Sequence, residues 1–148
     1  MMKKVFAMAA LLLALAACGG NKDNPIDGPD EGDKTAKVSV TGIWELESVS
    51  TKASVGSVNV EVYIDFTSSG AFTLYQKIGE GRYSLFGGSY TVADDGKLEG
   101  KYNSGTTWGP YTASNNGSKL VLTSASGNET DTYKKISAIP ETVLGNLY

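Results

Sequence analysis

A strict alternation of apolar and polar residues is the feature that most constrains the fold of this chain of 148 residues. Between Val58 and Phe66 every second residue is apolar, and the alternation resumes from Phe72 to Ile78, with Gln76 as its polar member. Successive side chains of a β-strand point to opposite faces of the sheet, so a period of two predicts strands with one buried face. A helical period appears only in the last ten residues. The sequence therefore predicts an all-β domain.

Gly70 sets the register of the first hairpin. We place this glycine in the left-handed position of a three-residue loop, where the lack of a Cβ removes the steric penalty. The pairs predicted at this register are Phe66–Phe72 and Ile64–Leu74 on the inner face, and Tyr63–Tyr75 and Glu61–Lys77 on the outer face. The inner pairs are apolar, and the outer pairs are aromatic or opposite in charge, so both faces favour this register.

Turn sequences place the later hairpins. A loop at Asp94-Asp95-Gly96 predicts the pairs Val92–Leu98, Thr91–Glu99 and Tyr90–Gly100, and a two-residue turn at Asn116-Gly117 predicts the pairs Tyr111–Leu122 and Ala113–Leu120. We expect the Tyr90 ring to cover the bare backbone of Gly100. Leu85 and Tyr90 are both assigned to the inner face although they are five residues apart, which predicts a β-bulge at Phe86-Gly87-Gly88.

Eight strands follow one another along the chain, nearly all joined by tight turns. They are predicted at 42–50, 58–67, 71–78, 82–93, 97–103, 107–114, 118–124 and 129–136. A meander of eight strands favours an up-and-down barrel over a sandwich, because a sandwich needs a long crossover between its sheets. After the last strand we expect one helical turn that packs Ile139, Val143 and Leu144 on the barrel.

The N-terminal segment has the features of a bacterial lipoprotein signal. Lys3 and Lys4 precede an uncharged apolar run, and the run ends in Leu15-Ala16-Ala17-Cys18, which resembles the lipobox. The resemblance implies cleavage after residue 17, acylation of Cys18, and anchoring in the outer membrane of a Gram-negative bacterium, on the periplasmic or the cell-surface side. We expect a signal peptide at 1–17, a flexible acidic tether at 18–36 and a barrel domain at 37–148.

Composition excludes several classes of function. Removal of Lys3 and Lys4 leaves 11 basic against 16 acidic side chains, a balance that argues against nucleic acid as a partner. The chain has no histidine, and Cys18 is its single cysteine, so the commonest general base and the commonest zinc ligand are both missing. Strand alternation turns the remaining acidic candidates outward: Glu45, Glu47, Asp65 and Glu99. We therefore expect no catalytic residues, no metal and no cofactor.

The tripeptide Gly42-Ile43-Trp44, at the start of the first of eight strands, resembles the Gly-x-Trp signature of lipocalins and of lipocalin-like bacterial lipoproteins. The resemblance covers about residues 38–136 and implies an eight-stranded barrel with structural roles for Gly42 and Trp44. In the family, this tryptophan closes the narrow end of the barrel beneath an arginine of the last strand. Arg82 is the chain's one arginine and lies elsewhere, so Lys134 or Lys135 would take that place.

The interior of such a barrel is either filled by side chains or wide enough for one small ligand. The residues predicted to line a ligand pocket are Gln76, Tyr83, Tyr90, Tyr102 and Tyr111. The favoured function is non-catalytic binding of a small apolar or amphipathic ligand, or of a partner protein. A structural or accessory subunit with a filled core is one alternative. A glycan-binding module is the other, with Tyr63, Tyr75 and Trp108 as exposed aromatic residues.

Overall fold

The computed structural model describes residues 37–51 and 59–148, which form eight antiparallel strands and one short helix. The elements are β1 (Gly42–Thr51), β2 (Val60–Phe66), β3 (Ala71–Ile78), β4 (Ser84–Val92), β5 (Lys97–Tyr102), β6 (Thr107–Asn115), β7 (Lys119–Ser124), β8 (Glu129–Ile136) and α1 (Glu141–Leu144). Each strand pairs with its neighbours in sequence, and β8 pairs with β1, so the sheet closes into a barrel. The prediction of an all-β up-and-down barrel is confirmed, and the sandwich is excluded.

The predicted signal peptide, Cys18 and the tether lie in residues 1–36, outside the described part of the chain. Residues 52–58, between β1 and β2, are also outside it. In the two described ranges, no helix has the length and apolar character that a membrane crossing requires. The division of the chain at residues 17 and 36 therefore stays a prediction.

Two hairpin registers are confirmed residue by residue. Across β2 and β3, all four predicted pairs are present, and Gly70 has a φ of 86° in the turn that joins them. Across β4 and β5, the three predicted pairs are present as well. The alternation of side chains therefore places Ile64 and Phe66 in the core, where they are 0% and 1% exposed.

The predicted register of the β6–β7 hairpin is wrong by two residues, because Ala113 lies opposite Leu122 and not opposite Leu120. The side chain of Asn116 explains the longer loop. Its Oδ1 accepts hydrogen bonds from the backbone N–H groups of Ser118 at 3.1 Å and Lys119 at 2.8 Å, which stabilises a turn wider than two residues. A shift of two residues keeps every side chain on its predicted face.

The predicted bulge at Phe86-Gly87-Gly88 is wrong. β4 pairs with β3 and with β5 without any shift of register. Phe86, Gly88 and Tyr90 therefore share the inner face, while Leu85 points outward and is 55% exposed. The absence of a side chain at Gly88 allows close packing with β5, because a Cβ there would lie only 2.0 Å from the Lys101 carbonyl oxygen.

Trp44 closes one end of the barrel, which we call the Trp44 end. Its ring is 0% exposed, and its Nε1 donates a hydrogen bond of 2.8 Å to the carbonyl oxygen of Val40. The Nζ of Lys135, on β8, lies 5.8 Å from the centre of the ring, so Lys135 occupies the predicted cationic position. Gly42 is adjacent, and a Cβ there would lie 3.4 Å from Cε of Lys135.

The C-terminal segment covers the outside of the barrel next to β2 and β3. Val143 of α1 is 1% exposed and packs with Tyr63 and Tyr83 in a cluster separate from the interior core. The backbone N–H of Tyr83 donates to the carbonyl oxygen of Asn146 at 2.9 Å, which fixes the segment to the chain before β4. The predicted helical turn is confirmed with Val143 buried. The predicted packing of Leu144 is wrong, because this residue is 48% exposed.

Candidate functional site

The interior of the barrel differs in polarity between its two ends. Near the Trp44 end it is apolar, with Ile64, Phe66, Leu98 and Leu120 all less than 2% exposed. Polar side chains gather towards the other end, where β5 ends and β6 and β8 begin. We call this set the interior polar cluster, and its members are Tyr102, Trp108, Tyr111, Glu129, Asp131 and Tyr133. The side chain of Gln76, also at this end, is 4% exposed.

Trp108 lies inside the barrel at 4% exposure, so the prediction that it is partly exposed is wrong. Simple alternation would place Trp108 and Tyr111 on opposite faces, because they are three residues apart. The register between β5 and β6 shifts just before Gly100, and Gly109, with a φ of 90°, lies in the resulting bulge. Both rings therefore point inward. The ring over Gly100 belongs to Trp108 and not to Tyr90, and a Cβ at Gly100 would lie 2.2 Å from its Cε2.

Two carboxyl groups of β8 lie in this cluster. Asp131 is 0% exposed, and neither of its carboxyl oxygens has a hydrogen-bond partner among the described residues. The Oε1 atom of Glu129, one alternation away, is also buried without a partner there. Burial, reinforced by the neighbouring charge of Glu129, raises the pKa of Asp131 to about 7. Burial also raises the pKa of Glu129.

Tyr111 and Tyr133 interact electrostatically with both acids, and Tyr102 and Trp108 are neighbours of these tyrosines. Burial raises the pKa of Tyr102 to about 12 and raises the pKa of Tyr111 and Tyr133 further, so these hydroxyls stay neutral. The hydroxyl of Tyr133 and the Nε1 of Trp108 are buried with no hydrogen-bond partner among the described residues. The rings of Trp108 and Tyr111 lie 6.3 Å apart with an angle of 51° between their planes. The cluster thus combines aromatic faces with several polar atoms, on Trp108, Asp131 and Tyr133 among others, that have no hydrogen-bond partner in the described part of the chain.

The interior acids have no basic partner among the described residues, because the ion pairs lie elsewhere. Those pairs are Glu45–Lys134, Glu47–Lys119, Glu61–Lys77, Glu99–Lys97 and Asp94–Lys37. Arg82 and Lys101 are exposed, and Lys135 lies over Trp44. Glu45, Glu47 and Glu99 are thus paired on the outer face, as strand alternation predicts. No group of three or more acidic, cysteine or histidine residues in the described ranges is arranged to hold a metal ion.

A cavity of about 410 Å³ opens at the end of the barrel opposite Trp44, which we call the pocket end. It is lined by Leu85, Phe86, Gly87, Tyr102, Asn103, Ser104 and Thr106. Tyr102 belongs both to this cavity and to the interior polar cluster, where it interacts electrostatically with Tyr111 and Tyr133. The cavity therefore combines an apolar wall from β4 with the polar turn between β5 and β6, next to the cluster.

Three of the five predicted pocket residues lie at the pocket end of the interior: Gln76, Tyr102 and Tyr111. Tyr90 is also inside, but its hydroxyl donates to the carbonyl oxygen of Thr67 at 2.6 Å, in a turn at the Trp44 end. The placement of Tyr83 inside the barrel is wrong. Its ring packs on the outer face under the C-terminal segment, and its hydroxyl donates to the carboxylate of Glu61. Burial and this carboxylate raise the pKa of Tyr83 to about 12.

Sequence reasoning missed four residues of the cluster: Trp108, Glu129, Asp131 and Tyr133. Three of them share one face of β8 by simple alternation, and Tyr133 pairs with Leu46 and Leu120, two apolar residues that pack in the interior core. That alternation was the available signal. Alternation could not have placed Trp108 inside the barrel, because the inward position of this residue depends on the bulge at Gly109.

The aromatic surface predicted for glycan binding is not formed by these residues. Tyr63 and Tyr75 do lie opposite each other on the outer face. Tyr63, however, is only 9% exposed, and its ring centre lies 6.1 Å from that of Tyr83, in an edge-to-face arrangement. Because Trp108 is inside the barrel, the three residues do not combine into a flat exposed platform.

Comparison with known proteins identifies the family. No curated protein matches the chain. The crystal structure of a lipoprotein YedD from Klebsiella pneumoniae subsp. pneumoniae is similar at 12% sequence identity and a TM-score of 0.49, over 74% of this chain and 82% of that chain. The lipocalin-like domain family matches residues 40–138, which include all eight strands. The chain therefore belongs to the lipocalin-like domain family.

Proposed function

We propose that this protein is a membrane-anchored lipoprotein whose barrel binds one small amphipathic molecule at the pocket end, without catalysis. The observation that carries the proposal is the interior polar cluster, in which both carboxyl oxygens of Asp131 and the Oε1 of Glu129 are buried without hydrogen-bond partners among the described residues. Tyr102 of the same cluster lines the cavity. The polar part of the ligand contacts the cluster, and its apolar part lies against Leu85 and Phe86. A partner protein that inserts an apolar side chain would use the same surface.

The energetics of buried polar groups support this proposal. A buried donor or acceptor without a partner costs about 1–3 kcal/mol, and native proteins keep few such groups. A bound molecule that supplies the missing hydrogen bonds removes this cost and stabilises the folded barrel. The cavity volume of about 410 Å³ also lies within the range of small-molecule sites.

Membrane anchoring is supported by the N-terminal sequence. A short apolar segment that ends in Leu15-Ala16-Ala17-Cys18 fits acylation of Cys18 after removal of residues 1–17. Two or three acyl chains hold a protein firmly at a membrane, whereas a single chain binds reversibly. The acidic segment 18–36 then acts as a tether between the outer membrane and the barrel domain, residues 37–148.

A matched pair of exposed leucines tests the binding site. Leu85 lines the cavity and is 55% exposed, while Leu144 is 48% exposed and lies on α1. We expect a fluorescent amphipathic probe to bind the full-length protein with a stoichiometry of one. Leu85→Ser should weaken binding roughly fivefold to tenfold through lost apolar contact, and Leu144→Ser should leave it unchanged. An absence of saturable binding by folded protein would overturn the proposal.

A structural or accessory role with a filled core is the second candidate. It is favoured by the dense packing of the interior, where Trp44, Leu98, Leu120 and Tyr133 are all 0% exposed. Under this function the cluster would be satisfied by buried water, which commonly bridges such groups. The same titration separates the two candidates, because a filled barrel would bind no probe at the pocket end.

A further inference from the structure

We propose that the ligand of this barrel is a cationic amphiphile, whose amine or ammonium group is held by Asp131 and Glu129, and that the barrel rejects anionic amphiphiles such as fatty acids. The inference rests on the proposed binding function and names the chemical class of the ligand. It follows from the charges, the hydrogen-bonding capacity and the aromatic surroundings of the interior polar cluster.

The charge of the cluster is the first argument. Two carboxyl groups face the interior, and each Lys and Arg in the described ranges is exposed, paired outside the barrel, or at the Trp44 end. A buried carboxylate is strongly disfavoured unless a cation or several donors accompany it. Because the described residues supply no cation, the proposal assigns the charge that complements ionised Asp131 to a bound molecule.

The hydrogen-bonding capacity of the cluster points to the same ligand. Both oxygens of Asp131 and the Oε1 of Glu129 are acceptors without partners among the described residues. A primary ammonium group brings three N–H donors and no acceptor, so it matches this set of carboxyl oxygens. A carboxylate ligand would instead bring two more acceptors and a second negative charge. Like charges placed together in a binding site cost several kcal/mol, so fatty acids are disfavoured.

The aromatic side chains around the acids also favour a cation. Trp108, Tyr111 and Tyr133 are each at most 4% exposed, and the face of an aromatic ring attracts a positively charged group. Ligands with quaternary or protonated amines are commonly bound by such aromatic groups next to a carboxylate. The apolar part of the molecule would extend to Phe86, whose ring lies 6.1 Å from that of Tyr102 at the cavity.

The proposal predicts a dependence of binding on pH. In the absence of ligand the pKa of Asp131 is about 7, so the carboxyl group must lose a proton to bind an ammonium group near neutral pH. The titratable groups that interact with it are Glu129 and Tyr133 on its own strand and Tyr111 on β6. Tyr102 on β5 interacts in turn with Tyr111 and Tyr133. Its neighbours on β1 and β7 are Val49 and Leu122, which do not titrate. The tyrosines stay neutral, so affinity should rise about tenfold from pH 6 to pH 8.

Two probes of equal chain length and opposite charge test the proposal. Hexylammonium and hexanoate are each titrated at pH 8 into full-length protein in phosphatidylcholine nanodiscs, with tryptophan emission and calorimetry as readouts. Empty nanodiscs correct for partitioning into lipid. We expect hexylammonium to bind with a stoichiometry of one and at least about 30-fold more tightly than hexanoate.

Matched variants locate the charge that selects the ligand. Asp131→Asn should weaken hexylammonium binding at least about tenfold and abolish its pH dependence. Glu129→Gln should reduce the affinity for hexylammonium about threefold. If near-ultraviolet circular dichroism shows that Asp131→Asn does not fold, Glu129→Gln still tests the proposal. Asp65→Asn, on the outer face of β2, is the control and should leave the affinity unchanged.

Each outcome separates this inference from the proposed function. If neither probe binds to folded protein, both the binding function and the ligand class are overturned. If hexanoate and hexylammonium bind equally well, the binding function stands and the cationic ligand class is overturned. Full hexylammonium affinity in both Asp131→Asn and Glu129→Gln, or an equal loss in Asp65→Asn, would also contradict an ammonium site at these carboxyl groups.

Discussion

At the scale of single residues, Asp131 is the most unusual group in the barrel. An ionised carboxylate inside a protein is costly, yet this side chain is 0% exposed and has no hydrogen-bond partner among the described residues. Its pKa of about 7 means that the folded protein holds the proton more tightly than the unfolded chain does. The cost of ionising Asp131 without a ligand therefore appears as lower stability at higher pH.

Replacing Asp131 by asparagine should remove this dependence. The folded pKa is raised above the unfolded value near 4, so the unfavourable contribution is absent below pH 4 and grows as the pH rises through about 7. Asp131→Asn should therefore exceed the ligand-free protein in stability at pH 8 by on the order of 3 kcal/mol, with a smaller difference at pH 5. Urea unfolding at both values measures this difference. A difference in stability that is the same at both pH values would contradict a raised pKa at Asp131. Asp65→Asn is the control.

At the scale of elements, the hairpins were the most predictable part of the fold. Two registers follow from the sequence, because a shift of one residue would place apolar residues in water and the turn glycine and the cross-strand pairs then select among the remaining registers. The β6–β7 register was missed by two residues, since a shift of two changes no face and only the Asn116 side chain distinguishes the two turns. Alternation therefore predicts the face of a residue more securely than its exact cross-strand partner.

The errors at the candidate site have two physical causes. The bulge at Gly109 changes the face of Trp108, and nothing in the alternation of β6 signals it. Tyr83 is buried by the C-terminal segment, and burial outside a barrel gives the same apolar pattern as burial inside it. Alternation counted from the nearest hairpin turn assigns three residues to the correct face: Gln76, Tyr102 and Tyr111. No bulge lies between the turn and the residue in these three strands.

The C-terminal segment offers a test of element-level packing with neighbouring residues. Val143 is 1% exposed against Tyr63 and Tyr83, while Leu144 is 48% exposed. Val143→Ala should lower the free energy of unfolding by roughly 1–3 kcal/mol, because it removes buried methyl groups and leaves a cavity. Leu144→Ala should change it by less than about 0.5 kcal/mol.

Urea unfolding measures this effect, and hydrogen exchange at the backbone N–H of Tyr83, which bonds to Asn146, reports whether the segment detaches. Equal effects of Val143→Ala and Leu144→Ala would contradict the packing of Val143 against the barrel.

At the scale of the whole molecule, the proposed anchor and the barrel have separate roles. The pairing of the eight strands involves residues 42–136, so it includes neither Cys18 nor the segment predicted to be a tether. A lipid-anchored barrel on a tether of about 18 residues would keep its pocket end free to meet a ligand in the aqueous compartment. Loss of the anchor should then change the location of the protein and leave ligand affinity intact.

Cys18→Ser tests this separation of roles. The variant lacks the thiol that is proposed to be acylated, so it should not incorporate labelled palmitate and should leave the membrane fraction on alkaline washing. Gly19→Ser, next to it, keeps the thiol and should be labelled and retained. Hexylammonium affinity should be the same for both variants, because Asp131 and the cavity belong to the barrel. Palmitate labelling of Cys18→Ser would show that another residue carries the lipid, and an unlabelled variant that stays in the membrane fraction would show that a second feature of the chain binds the membrane.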